Sequence, residues 1–375
     1  MAYNYVELGS LITPSKTVRC GDGDYPVLSM TMHNGLVFQD EKFKKVIASK
    51  DTSDYKVVYR NQLVISFPID EGVLAAQRIT DAGIVSPAYG IWDIDQSKIL
   101  PEFLEYALRC DRAIQYYKAK LRGSTARRRT LPTPTLLAFK VPLPCLEEQE
   151  KVIDRIHRAQ SVKEKRNEQI NKLDDLIKAR FVEMFGNPVA NEKGWKLARL
   201  GDLATKIGSG ATPKGGRESY GAEGISLIRS MNVHCGRFEN KELAHISDEQ
   251  AARLENVTVE RQDVLLNITG ASVARCCVVP EDVLPARVNQ HVCIIRCREY
   301  ISPGFLSNML IDDNYQDLLW KIAGSGATRE AITKQQVENL QIIVPPNELQ
   351  EQFVNFVAQV DKSKQAHEYS GKLAA

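Results

Sequence analysis

The run Gly123-Ser124-Thr125-Ala126-Arg127-Arg128 returns 201 positions later as Gly324-Ser325-Gly326-Ala327-Thr328-Arg329. The echo holds its register downstream, where Val141-Pro142-Leu143-Pro144-Cys145-Leu146-Glu147-Glu148-Gln149-Glu150 is matched by Ile342-Ile343-Val344-Pro345-Pro346-Asn347-Glu348-Leu349-Gln350-Glu351. Upstream, Ser29-Met30, His33-Asn34-Gly35 and Val58-Tyr59-Arg60 correspond to Ser230-Met231, His234-Cys235-Gly236 and Val259-Glu260-Arg261. Near the start the offset narrows to 192, pairing Glu7-Leu8-Gly9 with Arg199-Leu200-Gly201, and the extra residues are assigned to the Gly-rich stretch from Gly208 to Gly216. A period of this size far exceeds the roughly 20–50 residues of a solenoid repeat. It predicts a duplicated domain with its linker and a pseudo-twofold plan. Two similar but diverged halves suit a partner that also comes in two halves, and duplex DNA is the commonest.

Each copy has enough chain for an ordinary core: the 375 residues are 43% hydrophobic and 26% charged. A net charge of +2 argues against a histone-like, charge-driven binder but allows local basic patches. Met1-Ala2-Tyr3-Asn4-Tyr5 lacks the basic start and apolar run of a signal peptide, and no apolar run approaches the roughly 20 residues that span a bilayer. The eight cysteines form no CxxC pair and no His/Cys cluster of zinc spacing. Cys293 and Cys297 lie in an alternating apolar run beside His291, where small buried thiols are the expectation. The compartment is then reducing, most simply the cytoplasm.

Strands are expected at Lys56 to Tyr59, Gln62 to Phe67, Asp263 to Asn267 and Gln290 to Ile295. Helices should open at Pro101 and Pro303, because proline is tolerated in a first turn. From Glu147 to Phe185 there is neither proline nor glycine and charge is dense, which predicts one helix of roughly 60 Å at 1.5 Å per residue. Ile156, Ile170, Ile177 and Met184 share one heptad position, Ala159 and Leu173 another, and Lys163, Arg166 and Arg180 interrupt the seam. Its expected partner is the repeat copy, where Phe353, Phe356, Val357 and Val360 form an apolar stripe. The alternative is a surface helix with a solvated face. The fold class is therefore α+β: two tandem mixed α/β domains, separated and braced by long antiparallel coiled-coil helices. The boundaries are 1–145 for the first domain, 146–186 for the central helix, 187–346 for the second domain and 347–375 for the shorter C-terminal helix.

Two globular domains, each followed by a Pro-rich strand end and a Leu-Glu-Glu-Gln-type helix start, resemble the DNA-specificity subunit of Type I restriction–modification systems. The residues carrying the likeness are Phe139 to Gln149, Leu173 to Gly186, and Leu340 to Gln350. The resemblance covers nearly the whole chain. It implies that each domain is a target recognition domain reading one half of a split DNA site, and that the helices act as a ruler docking two methyltransferase subunits. Through these the restriction/translocase subunits would be recruited, with S-adenosylmethionine, ATP and Mg belonging to the partner chains and no cofactor or metal to this one. One departure is that the second helix stops at Ala375, without a counterpart of Leu173 to Gly186. Either the sequence is shortened there or the coiled coil is lopsided.

Chemistry of its own is not expected of this chain. There is no Asn/Asp-Pro-Pro-aromatic run to hold a flipped base and no GxxxxGK[ST] phosphate loop, since Gly208 to Gly216 is misspaced and reads as a mobile loop. Glu147 and Glu148 complement a helix N-terminus, and Asn267-Ile268-Thr269 matches a glycosylation acceptor by coincidence. For DNA contact the sharpest cluster is Arg122, Arg127, Arg128 and Arg129 with Gly123 and Ser124: arginine forks suit phosphates and guanine edges, and small residues let the backbone approach. A solvated charged loop is the bland reading, but the position recurs as Gly324, Ser325, Thr328 and Arg329. Lys214 and Arg217 are weaker candidates, as are Asn289 and Gln290, whose amides could read adenine. A protein-only coiled-coil scaffold, a truncated or regulatory specificity subunit, and an enzyme with an unrecognised site stay open as alternatives.

Overall fold

The computed structural model describes residues 4–32, 34–39, 51–121, 131–212, 216, 220–221, 223–324 and 330–372, with the backbone alone for 367–372. Contacts divide the chain into two units, Met1–Lys163 and Glu164–Ala375, with the division inside one continuous helix, Leu146–Phe185. That helix carries no internal proline or glycine, and Gly186 ends it in the left-handed conformation (φ +75°).

The first unit is built from β1 (Tyr5–Glu7), β2 (Ile12–Pro14), β3 (Leu28–Thr31), β4 (Gly35–Phe38), β5 (Lys56–Tyr59), β6 (Leu63–Ile65), β7 (Leu74–Ala76), β8 (Ala82–Val85) and β9 (Gly90–Ile94). Helices α1 (Pro101–Arg109), α2 (Asp111–Lys120) and α3 (Thr133–Leu137), then β10 (Lys140–Pro142), lead into α4 (Leu146–Phe185). Its central sheet has the order β2-β9-β6-β7, and β1 pairs antiparallel with β10. Leu8, Leu63, Leu104, Leu108, Tyr117 and Phe139 form its core, which Ile153 of α4 joins.

The second unit repeats this plan with β11 (Lys196–Arg199), α5 (Leu200–Leu203), β12 (Ala204–Ser209), β13 (Ile225–Ile228), β14 (Val233–His234), β15 (Arg237–Phe238) and β16 (Ala244–Ile246). There follow α6 (Asp248–Ala252), β17 (Thr258–Val259), β18 (Val264–Asn267), β19 (Cys276–Val278), β20 (Ala286–Val288) and β21 (Val292–Cys297). It closes with α7 (Pro303–Leu310), α8 (Asp313–Gly324), α9 (Lys334–Glu338), β22 (Gln341–Val344) and α10 (Asn347–Lys372). The sheet β12-β21-β18-β19 corresponds to β2-β9-β6-β7, and a second sheet, β16-β13-β20-β17, contains the parallel pair β13–β20.

The duplication extends to individual hydrogen bonds. Glu7 opposes Lys140 and Arg199 opposes Gln341, so the offsets 192 and 201 carry one register onto the other. Leu8 N donates to Phe139 O (2.8 Å), as Leu200 N does to Leu340 O (2.9 Å). Asn61 (φ +69°) and Gln262 (φ +65°) occupy the same left-handed turn position, 201 residues apart. The turns are closed alike, Tyr59 N donating to Gln62 Oε1 (2.8 Å) and Glu260 N to Asp263 Oδ2 (2.7 Å).

The glutamine of the helix-start motif is buried in both copies. Gln149 Oε1 accepts from Leu100 N (2.8 Å), while its Nε2 donates to Lys98 O and Pro144 O (both 2.9 Å). Gln350 does the same with Ser302 N (2.8 Å), Tyr300 O (3.2 Å) and Pro345 O (2.8 Å). One amide thus satisfies backbone groups from both the approach to α4 or α10 and the start of the Pro-led helix α1 or α7, groups that would otherwise be stranded without water.

Within the second unit, the end of α4 packs antiparallel against α10. Asp174 binds Lys364 (2.6 Å), whereas Phe181, further along α4, meets Phe353, nearer the start of α10 (ring centroids 5.4 Å). Ile177, Phe181 and Phe185 are buried with Phe305, Phe353 and Val360, and Leu173, Met184, Phe356 and Val357 flank them. Ile156 and Ile170 are only half-buried. Residues 177, 181, 184 and 185 thus follow helical i, i+4, i+7, i+8 spacing on a globular surface, and the imperfect heptad face read through 156–184 is only partly covered toward its start. Phe181 and Phe185, which the heptad reading omits, supply the aromatic contacts of α4 with Phe305 and Phe353.

The sheet β12-β21-β18-β19 is buried on both faces. Val264, Leu266, Cys276, Cys293 and Ile295 enter one core, and the intervening Leu265, Cys277, Val292 and Ile294 enter another. Burial pushes the Cys277 and Cys293 thiols up to about 12.

Two outcomes follow from this packing. Gln350→Ala should cost about 1–3 kcal/mol in denaturant unfolding by orphaning buried groups, whereas exposed Glu351→Ala should stay within about 0.5 kcal/mol of the parent. In native protein near neutral pH, a maleimide should modify the exposed Cys110, Cys145 and Cys235 rapidly and leave Cys276, Cys277 and Cys293 unmodified until denaturant is added.

Candidate nucleic-acid interface

Strand ends in the second unit gather along one edge. β12, β13, β18 and β20 finish there, while β19 and β21 begin there, as the pairings Ser209–Cys293, Ile228–Val288, Asn267–Val292 and Leu266–Cys276 require. Four loops consequently meet at this edge, although they lie far apart in sequence.

Backbone bonds lock the loops together. Gly210 N donates to Asn289 O (3.1 Å), and a Cβ on Gly210 would lie 1.8 Å from Val288 O, so only glycine permits this approach. The start of the Gly-rich stretch is thus a packed crossing. Asn289 N donates to Ile228 O (3.1 Å), Ile268 N to His291 O (3.0 Å) and Gly270 N to Glu330 O (2.9 Å). The last bond and the bridge between Thr269 and Ala331 bring the chain just after positions 325–329 to the same edge.

A side-chain relay runs across this surface. The Thr212 hydroxyl donates to Gln290 Oε1, and Gln290 Nε2 donates to His291 Nε2 (3.0 Å). An amide nitrogen can only donate, so His291 Nε2 is the unprotonated nitrogen, and its Nδ1–H is left to donate to Thr269 Oγ1 (2.5 Å). Gln290 is exposed, whereas Asn289 is 6% exposed and uses its Oδ1 to accept from His291 N (3.0 Å). The two neighbouring amides therefore differ in role: Asn289 shapes the turn and Gln290 faces outward.

Positive charge lies beside the relay. Arg229 follows β13 with its guanidinium 5.4 Å from the Tyr220 ring centroid, and Arg275 precedes β19. Two buried polar atoms here, Arg229 Nε and Asn267 Oδ1, have no hydrogen-bond partner among the described residues. Sequence reasoning missed Thr212, Thr269, Arg229 and Arg275. No local pattern marks them, because strand pairing is what assembles them.

Of the predicted contact residues, Arg122, Gly123, Ser124, Arg127, Arg128 and Arg129 lie outside the described residues, as do Lys214, Arg217, Ser325, Thr328 and Arg329. Their described flanks are fixed. Leu121 N bonds Tyr117 O (2.9 Å) before the first segment and Leu131 packs on the core after it. Gly324 is exposed at the end of α8, where Ala331 N returns to Ala323 O (3.2 Å). Thr212 leads directly into the segment containing Lys214.

No helix among the described residues is long and apolar enough to cross a membrane. Residues 192–372 match the family of Type I restriction modification DNA specificity domains. A curated relative, the putative type I restriction enzyme MjaX specificity subunit of Methanocaldococcus jannaschii, is 22% identical over 294 residues, covering 71% of this chain. The aligned stretch spans 63% of that relative, less than two thirds of its length. Among solved structures, one from work on complex assembly and conformational transition of the type I R-M system is similar over 99% of this chain and 93% of its own, with TM-score 0.58 and 19% identity. The Type-I restriction-modification system S subunit from M. genitalium is similar over 99% and 92%, with TM-score 0.53 and 12% identity. At these identities the structures establish the fold. The second part of the chain, residues 192–372, thus matches a Type I restriction modification DNA specificity domain, and the chain shares its fold with the solved S subunit.

Proposed function

We propose that this chain is the non-catalytic DNA-reading subunit of a Type I restriction–modification assembly. Each domain, 1–145 and 187–346, reads one half of a bipartite target, and the helices at 146–186 and 347–375 dock two methyltransferase subunits. Restriction/translocase subunits join through these, and S-adenosylmethionine, ATP and Mg are held by the partner chains. The assembly works in the cytoplasm.

The observation that carries this reading is the convergence of separately nominated segments on one edge of the second unit. Thr212 within the Gly-rich stretch, Gln290, and Gly270 with Glu330 beside the glycine–arginine segment are joined by hydrogen bonds. Loops on a sheet buried on both faces present polar groups from a rigid base, which suits direct readout. The exposed Leu176 and Val182, both 47% accessible on α4, offer apolar surface for a docked partner.

A test of DNA reading against a protein-only scaffold is the salt dependence of duplex binding. The proposed function predicts log affinity falling linearly with log salt, by about 0.9 per neutralised phosphate; a scaffold shows no such slope. Replacing Arg127, Arg128 and Arg129 with alanine should weaken binding and flatten the slope by up to about 3, with thermal melting unchanged. A sharp fall in melting temperature would make the cluster structural.

A further inference from the structure

We propose that Gln290 reads an adenine in the major groove, with Thr212 and His291 as the residues that orient its amide. This inference rests on the DNA-reading function above and assigns one of its base contacts. A glutamine amide has two acceptor positions on Oε1 and two donor positions on Nε2. Thr212 occupies one acceptor position and His291 takes one donor, and among the described residues neither atom has another partner. One acceptor and one donor are left on the same planar group. Adenine offers the complement in the major groove, the N6 amine to donate and N7 to accept. Guanine presents two acceptors there and would leave Oε1 facing O6, thymine adds a methyl group to its single acceptor, and cytosine presents only a donor.

The relay explains why this amide is suited to specific reading. An exposed glutamine ordinarily samples many rotamers and either amide orientation, and loses that freedom on binding. Here the hydroxyl on one side and the imidazole nitrogen on the other select one orientation. The imidazole is itself held by Thr269 and by its own backbone N–H on Asn289 Oδ1. Gln290 also sits where β20, with Ala286 and Val288 buried, turns into β21, which is buried on both faces, so the amide stands on a fixed base. Asn289, the other amide of the pair, is 6% exposed and engaged in the turn, and is not a reader.

The test uses the full chain, a pool of random-sequence DNA duplexes, and sequencing of the bound fraction. Wild type should enrich a split motif. Q290A should lose the adenine preference at one position of one half-site and keep the rest, with affinity for the wild-type duplex falling roughly ten- to hundredfold. Q290E, whose carboxylate only accepts, should move the preference at that position toward cytosine. T212V should relax the same position to a smaller degree, with all three variants melting like wild type. Q290A and Q290E motifs identical to wild type, a uniform loss of affinity across all sequences, or a lowered melting temperature would each overturn the assignment. If wild type enriches no motif, the DNA-reading function itself fails, and that outcome differs from a normal wild-type motif left unmoved by the variants.

Discussion

A single buried glutamine amide fixes how each helix leaves its domain. Gln149 and Gln350 each bond three backbone groups, drawn from the segment entering the long helix and from the start of the Pro-led helix before it. No other side chain of that size carries both a carbonyl and an NH2, so neither a carboxylate nor an aliphatic residue would satisfy the site. Just upstream, the first and last strands of each domain pair in equivalent registers. Entry and exit of every domain are thus clamped at one place. The direction of the helix is set by its own domain before any partner helix contributes.

That anchoring separates two duties within the second unit. The aromatic nest of Phe181, Phe185, Phe305 and Phe353 welds the helix pair to the domain core. The central sheet, apolar on both faces, resists register slippage because a one-residue shift would exchange its two cores. Polar chemistry is left to the loops at the strand ends. There a histidine tautomer, two threonines and a glutamine form one chain of donors and acceptors. The first unit shares the central strand order, and among its described residues the antiparallel pair β5–β8 and the parallel bridge Val27–Ile84 correspond to β17–β20 and β13–β20 of the second.

Much of this was legible in the sequence because duplication supplies its own alignment. The offsets 192 and 201 carry the β1–β10 register onto β11–β22 without further information, and Pro101 and Pro303 do open helices at the expected places. The helix free of proline and glycine runs as read, ending at Phe185. Other features were hidden for physical reasons. Phe181 falls off a heptad seam and becomes central only because Phe305 and Phe353 converge on it from remote elements. The bonds linking Thr212 to Gln290 and Thr269 to His291 cross 78 and 22 residues, so no local spacing could announce them. The motif glutamine was visible as a repeated letter, yet its role depends on carbonyls about 50 residues upstream that only folding brings near.

The central claim is that the duplication corresponds to two halves of one DNA target. Its most direct test is to co-express the full chain with a candidate Type I methyltransferase subunit and map methylated adenines across the host DNA. The account predicts a single split motif with a fixed unread gap, present only when both chains are made. Co-purification of the two chains with no new methylation, or methylation at a continuous or variably spaced motif, would contradict it.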